Sequence, residues 1–147
     1  MSEAVDTSAR ERLEALIGEW TMVATPLGGP PWPGEGHVSF EWLVGVPLVL
    51  QRWHVEVPEA PDGAAVIGCD GMTGGYYQLY TDERDVQRIY AMSLDDGIWK
   101  LWRDGPPFAQ RFTGTFSEDG TRIDGRWEIA EDGETWRTDF DLTYTRV

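Results

Sequence analysis

The dipeptide Asp-Gly occurs seven times in the chain, and it constrains the fold more than any other feature. Asp-Gly readily takes the positive backbone angles of tight hairpin turns, so a chain punctuated this way reverses direction repeatedly. Six copies, Asp62-Gly63, Asp70-Gly71, Asp96-Gly97, Asp104-Gly105, Asp119-Gly120 and Asp132-Gly133, separate segments in which Val, Ile, Thr, Trp, Tyr and Phe alternate with polar residues. Such alternation is a strand pattern. The seventh, Asp124-Gly125, falls inside a segment, where a glycine marks a bend or bulge.

Reading between these marks predicts about ten strands, at residues 19–26, 36–44, 48–57, 64–70, 75–82, 86–94, 98–103, 109–117, 122–130 and 135–146. Connections this short join neighbours, which makes an antiparallel meander. An open sheet of that size would leave two unpaired edges, and closure into an up-and-down barrel removes them. The expected fold is therefore all-β, a closed antiparallel barrel. One short helix precedes it over residues 8–17: Ser8 and Glu11 form a capping-box pattern, Leu13, Leu16 and Ile17 share a face, and Gly18 supplies the stop. No composition shift divides the 147 residues, so a single domain is expected, with residues 1–7 as a flexible lead.

The last strand carries the clearest two-faced pattern. Trp136, Thr138, Phe140, Leu142 and Tyr144 alternate with Arg137, Asp139, Asp141, Thr143 and Thr145, one set expected inside and one in water. Arg146 has the parity of the inward set, an anomaly for a charge.

Charge and composition exclude several classes. Lys+Arg 12 against Asp+Glu 26 gives a formal net charge of −14, which repels phosphate backbones and anionic membrane surfaces. It also makes anionic fatty acids a less favoured ligand. The opening "MSEAVDTSARER" lacks the apolar core of a signal peptide, and no run of about 20 apolar residues could span a bilayer. A cytoplasmic protein is expected, with a homodimer left open. Cys69 is the only cysteine, which removes disulfides and multi-cysteine zinc sites, and it reads as a packed small residue.

The opening "GEW" (Gly18, Glu19, Trp20) starts the first strand of this meander, and Arg146 closes the last. That combination resembles the calycin superfamily of lipocalins and fatty-acid-binding-protein-like barrels. The resemblance implies that Trp20 lies at the closed end and that Arg146 packs across it. A barrel with an even strand number brings the same two positions to one rim independently of any family. The runs "YTDERDVQRIYAMSLDDGIWKLWRD", "RFTGTFSEDGTRIDGRWE" and "DGETWRTDFDLTYTR" resemble a family of small bacterial proteins within that superfamily, which brings no established activity. The haem-binding nitrobindin group has a similar barrel and uses a histidine late in its chain; this sequence has none after His54.

Strand parity then sends the connections near 27–35, 58–63, 83–85, 104–108 and 131–134 to the rim opposite Trp20, the expected mouth for a small, mainly apolar ligand. Two of these, "LGGPPWPGEG" and "DGPPF", join proline and glycine to one large aromatic, Trp32 or Phe108, and read as portal flaps or as ordinary stiff turns. Candidate ligand contacts are Trp32, Trp42, Arg52, His54, Gln78, Arg88, Tyr90 and Phe108. Residues 48–57 leave open which face is inside, since Val49, Trp53 and Val55 oppose Leu50, Arg52 and His54.

Two further functions stay open. An enzyme on the same barrel, a cyclase or isomerase, would use His54 or Tyr90 as acid or base; the competing reading of His54, beside Arg52 and Glu56, is a solvated outer face. No cofactor is called for, but haem could be held through His37 or His54, since one axial imidazole and an apolar cavity suffice. No metal site is expected from two histidines without a third converging ligand.

Overall fold

The computed structural model describes residues 8–57 and 60–147; the lead over residues 1–7 lies outside them. Ten strands form the barrel: β1 Gly18–Pro26, β2 Gly36–Trp42, β3 Leu48–Val55, β4 Gly63–Cys69, β5 Tyr76–Asp82, β6 Val86–Asp95, β7 Ile98–Arg103, β8 Ala109–Phe116, β9 Arg122–Ala130 and β10 Arg137–Arg146. Every strand pairs antiparallel with its sequence neighbour, and β1 closes the ring by pairing with β10. The all-β meander read from the turns is the architecture observed.

Not every Asp-Gly works as a tight turn. Asp96 and Gly97 both have positive φ, 50° and 72°, as a two-residue hairpin requires, and Gly120 and Gly133 are also left-handed. By contrast Gly63 begins β4, and in the 70–75 turn the left-handed residue is Gly74 rather than Gly71. Gly125 makes no bend; it pairs in regular register with Gly114 on β8. A Cβ on Gly125 would lie 2.5 Å from Phe112 Cε1, and one on Gly114 2.9 Å from Phe112 Cε2. The glycine pair leaves room for the Phe112 ring.

The irregularity is in β10, where the register shifts between Thr138 and Phe140. A bulge reverses the inside-outside alternation beyond it. Phe140, Leu142 and Tyr144 pack with the core as expected, but Trp136 is carried to the outside. There the Arg111 guanidinium covers its ring at 4.1 Å, while Arg111 also pairs with Glu128 across the outer face.

The helix is shorter than its sequence pattern: α1 spans Ser8–Arg12 and tightens into a 3-10 turn over Leu13–Ala15. That tightening lets the segment plug the barrel. Leu13 and Leu16 are fully buried, each worth about 2 kcal/mol of apolar transfer. Trp20 lies beneath them, 1% exposed, and its Nε1 donates to the Leu16 carbonyl at 2.9 Å. Arg146 is the register partner of Trp20. Its Nη1 and Nη2 donate to the carbonyls of Ile17 and Ala15 at 2.7 and 2.8 Å, and its guanidinium carbon lies 4.2 Å from the Trp20 ring centroid. The charge of inward parity is therefore a clamp, satisfying carbonyls that the end of a helical turn leaves without partners. Gly18 has to be glycine: its φ is +130°, and a Cβ would stand 2.7 Å from Arg146 Nη1.

Candidate functional site

The inward side chains fall into two zones. At the plugged end they are sealed: Trp20, Phe40, Val49, Trp99 and Ile123 are each at most 1% exposed. Moving along the same faces toward the opposite rim, exposure rises on strand after strand. Trp20 gives way to half-buried Met22 and Ala24, Gln51 to Trp53, Tyr90 to Arg88, Leu101 to Arg103, Phe112 to Gln110, Ile123 to Trp127 and Leu142 to Phe140. Burial therefore falls along strand after strand toward the rim opposite the plug, with Gln51, Gln78 and Tyr90 still buried beneath it.

Aromatic rings form a continuous chain of contacts on the inner face below that rim. Trp53 stacks on Tyr80 at 5.3 Å, Tyr80 meets Tyr90 edge-on at 6.3 Å, Tyr90 meets Trp127 at 5.6 Å, and Trp127 meets Phe112 at 5.2 Å. These offset and edge contacts are the favoured aromatic geometries, and they hold the wall rigid. Polar groups are few and fixed. Gln78 Nε2 donates to Gln51 Oε1 at 3.1 Å, and the Tyr90 hydroxyl donates to Gln110 Oε1 at 2.8 Å. Burial raises the pKa of Tyr90 despite the opposing contact with Arg88, so it stands as a neutral phenol whose one donor hydrogen is given to Gln110.

Asp82 is the carboxylate of the wall, 6% exposed. Arg84 binds it through Nη2 at 2.7 Å and Nε at 3.1 Å, and the Tyr80 hydroxyl donates to it at 2.6 Å. The Arg84 contact, helped by Tyr80 and opposed by burial, holds the Asp82 carboxyl down at about 2. Burial, then the Asp82 charge, raises Tyr80.

The sequence-derived candidates separate cleanly. Trp32 folds over the mouth, its backbone N–H donating to Ala24 and its ring 5.6 Å from Phe140. Phe108 lies beside Arg88 at 5.2 Å, and Gln78 and Tyr90 form the floor. Trp42 belongs to the other end, where its indole donates to Glu14 of the plug at 2.8 Å. Arg52 and His54 face outward, because Val49, Gln51, Trp53 and Val55 take the inner face of β3. His54 Nδ1 lies 2.8 Å from Asp62 Oδ2 on the surface, and that contact raises its pKa. Its cross-strand partner His37 is exposed beside Glu56. Both imidazoles of the chain thus lie on the outer face of the barrel. Cys69 is half-buried against the core, and burial pushes its thiol up.

Arg103 and Gln110 were not among the candidates, nor were Tyr80 and Trp127. Parity could have found Arg103, since "WKLWR" puts it on the face of Trp99 and Leu101. It matters because β7 ends there: β6 and β7 pair only from Ala91↔Trp102 to Asp95↔Ile98, leaving residues 86–90 without a β7 partner. An open cleft of about 560 Å³ occupies that gap, lined by Arg88, Ile89, Trp102, Arg103, Asp104 and Pro106 among others. Arg103 props the adjoining loop, donating to the carbonyls of Phe108 and Pro106, each at 2.9 Å.

No described helix is long and apolar enough to cross a membrane. No protein-family model matches the chain, and no curated protein matches it in sequence. Its fold is shared with solved structures. Rv2717c from M. tuberculosis superposes with a TM-score of 0.68 at 13% identity, over 97% of this chain and 99% of that one. The S-type phycobiliprotein lyase CPES from Guillardia theta superposes with a TM-score of 0.63, also at 13% identity, over 95% of this chain and 93% of that one. At such identities the likeness is one of fold.

Proposed function

We propose that the protein binds a small, mainly apolar molecule in the basin opposite the plug. The observation that carries this reading is the rise in exposure along the inner faces, which leaves Trp53, Tyr80, Trp127 and Phe140 half-buried around an opening. Concave apolar surface with a few fixed polar groups is the general form of a small-molecule site. The calycin resemblance and the fold shared with a phycobiliprotein lyase support the same reading at the level of fold. Of the two acid–base candidates Tyr90 alone faces inward, since His54 lies on the outer surface.

The test is a titration with neutral pyrenebutanol, read as energy transfer from tryptophan. Saturable transfer is expected, and it should be lost in Ala24→Trp, which fills the basin from β1. Absence of saturable binding, or transfer unchanged in a folded Ala24→Trp variant, would refute the proposal.

A further inference from the structure

Two half-buried cations of the mouth meet no carboxylate among the described residues. Arg84 is spent on Asp82. Arg88 and Arg103 have no carboxylate within ion-pair distance among the described residues, although the chain carries more than twice as many acids as bases. Arg88 makes a long hydrogen bond, 3.5 Å to Gln110 Oε1, also interacts with the Tyr90 hydroxyl, and lies against the rings of Tyr80 and Phe108. Arg103 touches the same Phe108 ring at 5.6 Å. The single acid of the cleft lining, Asp104, is exposed. A guanidinium offers five N–H donors in a planar fork suited to an oxyanion, and none of those on Arg88 meets a carboxylate among the described residues. Holding such a charge half out of water is costly unless something pairs with it.

We infer that the ligand of the basin carries a terminal oxyanion, a carboxylate foremost, and that Arg88 binds it at the gap between β6 and β7 with Arg103 as the second charge. The inference rests on the proposed basin and adds the ligand's class: an apolar body against Trp53, Tyr80, Tyr90 and Trp127, and an anionic head in the cleft. The strongly negative surface does not oppose this, because exposed acids are screened beyond about 8–10 Å in physiological salt while the cleft supplies its own positive field. Phe108 shields one side of both guanidiniums, which strengthens a charge-assisted contact there.

The experiment compares pyrenebutyrate with pyrenebutanol, probes matched except for the head group. The acid should bind about tenfold tighter or more, the return expected of a charge-assisted pair, and its advantage should shrink as salt rises. Arg88→Gln should bring the two affinities together by weakening the acid alone, and Arg88→Lys should keep part of the preference. Arg103→Gln should lower the acid's affinity, with circular dichroism confirming that each variant is folded. Equal binding of both probes to the native protein, or an acid preference that survives Arg88→Gln combined with Arg103→Gln, would overturn the inference. Pyrenebutanol keeps the two readings distinguishable: its failure to bind counts against the basin, whereas its binding without an acid preference removes only the oxyanion.

Discussion

Replacing Arg146 with alanine should destabilise the protein without weakening the basin. The side chain donates to the carbonyls of Ile17 and Ala15 and covers the Trp20 ring. Both carbonyls are near enough to solvent to be rehydrated, so each charged hydrogen bond is worth the low end of its range, about 1 kcal/mol. The cation over the indole adds about 1 kcal/mol. The sum of about 3 kcal/mol converts to a fall in Tm of about 10 °C for a domain of this size, readable by calorimetry. Gly18→Ala gives an independent check. Alone it should cost about 1–3 kcal/mol in backbone strain, plus the displacement of Arg146 Nη1, which lies 2.7 Å from the added Cβ. In the Arg146→Ala background the displacement disappears and only the strain is left, so the two costs should be sub-additive by at least about 0.5 kcal/mol. Pyrenebutanol should bind all four proteins of the cycle alike. A Tm change below about 3 °C, strict additivity, or lost probe affinity at unchanged Tm would refute the clamp.

Three other outcomes are expected. Trp127→Ala should cost about 3–4 kcal/mol in urea unfolding and Trp136→Ala about 1 kcal/mol, since only Trp127 packs inside; a cost at Trp136 as large as that at Trp127 would mean that β10 has no bulge. Asp82 has a folded pKa near 2 against an ordinary 3.8, so its stabilisation is full above the ordinary value and is lost as pH falls through about 2. Asp82→Asn should cost on the order of 1–2 kcal/mol at neutral pH, discounted because Arg84 is half in solvent, and should flatten the acid end of the stability profile. His54 should titrate above its ordinary 6.5 by NMR because Asp62 accepts from it. The pair's stabilisation is complete below the ordinary value and fades as pH rises through the folded one. Asp62→Asn should return His54 toward 6.5, and an unmoved His54 would mean that the contact is absent in solution.

Much of the fold could be read in the order of residues because its turns and faces are encoded locally. Asp96-Gly97 states its own turn type, and the alternation in β10 from Phe140 to Tyr144 marks the face that is buried. Even the inward parity of Arg146 was legible, and it marked a clamp. The bulge in β10 was hidden because "WRTDFDLTY" alternates perfectly in sequence, and an extra residue changes the pairing without changing the pattern. The inner face of β3 was ambiguous because Gln51, a buried floor residue, looks as polar as the outward Arg52. Trp42 read as a mouth aromatic, yet its position at the end of β2 puts it beside Glu14. Arg103 shares the inward parity of Trp99 and Leu101, as Arg146 shares that of Tyr144, but no turn or family motif singles it out.

The ladder between β6 and β7, five residue pairs where β6 has ten residues, has a consequence for guest size. An unbroken barrel limits its guest to the depth of the lumen. For a guest held as proposed, a wall notched from the rim downward would let a long molecule turn sideways past the end of β7, so that length would cease to be the selective dimension. Discrimination would then fall on girth, at the ring of aromatic side chains, and on whatever the guest presents at the notch.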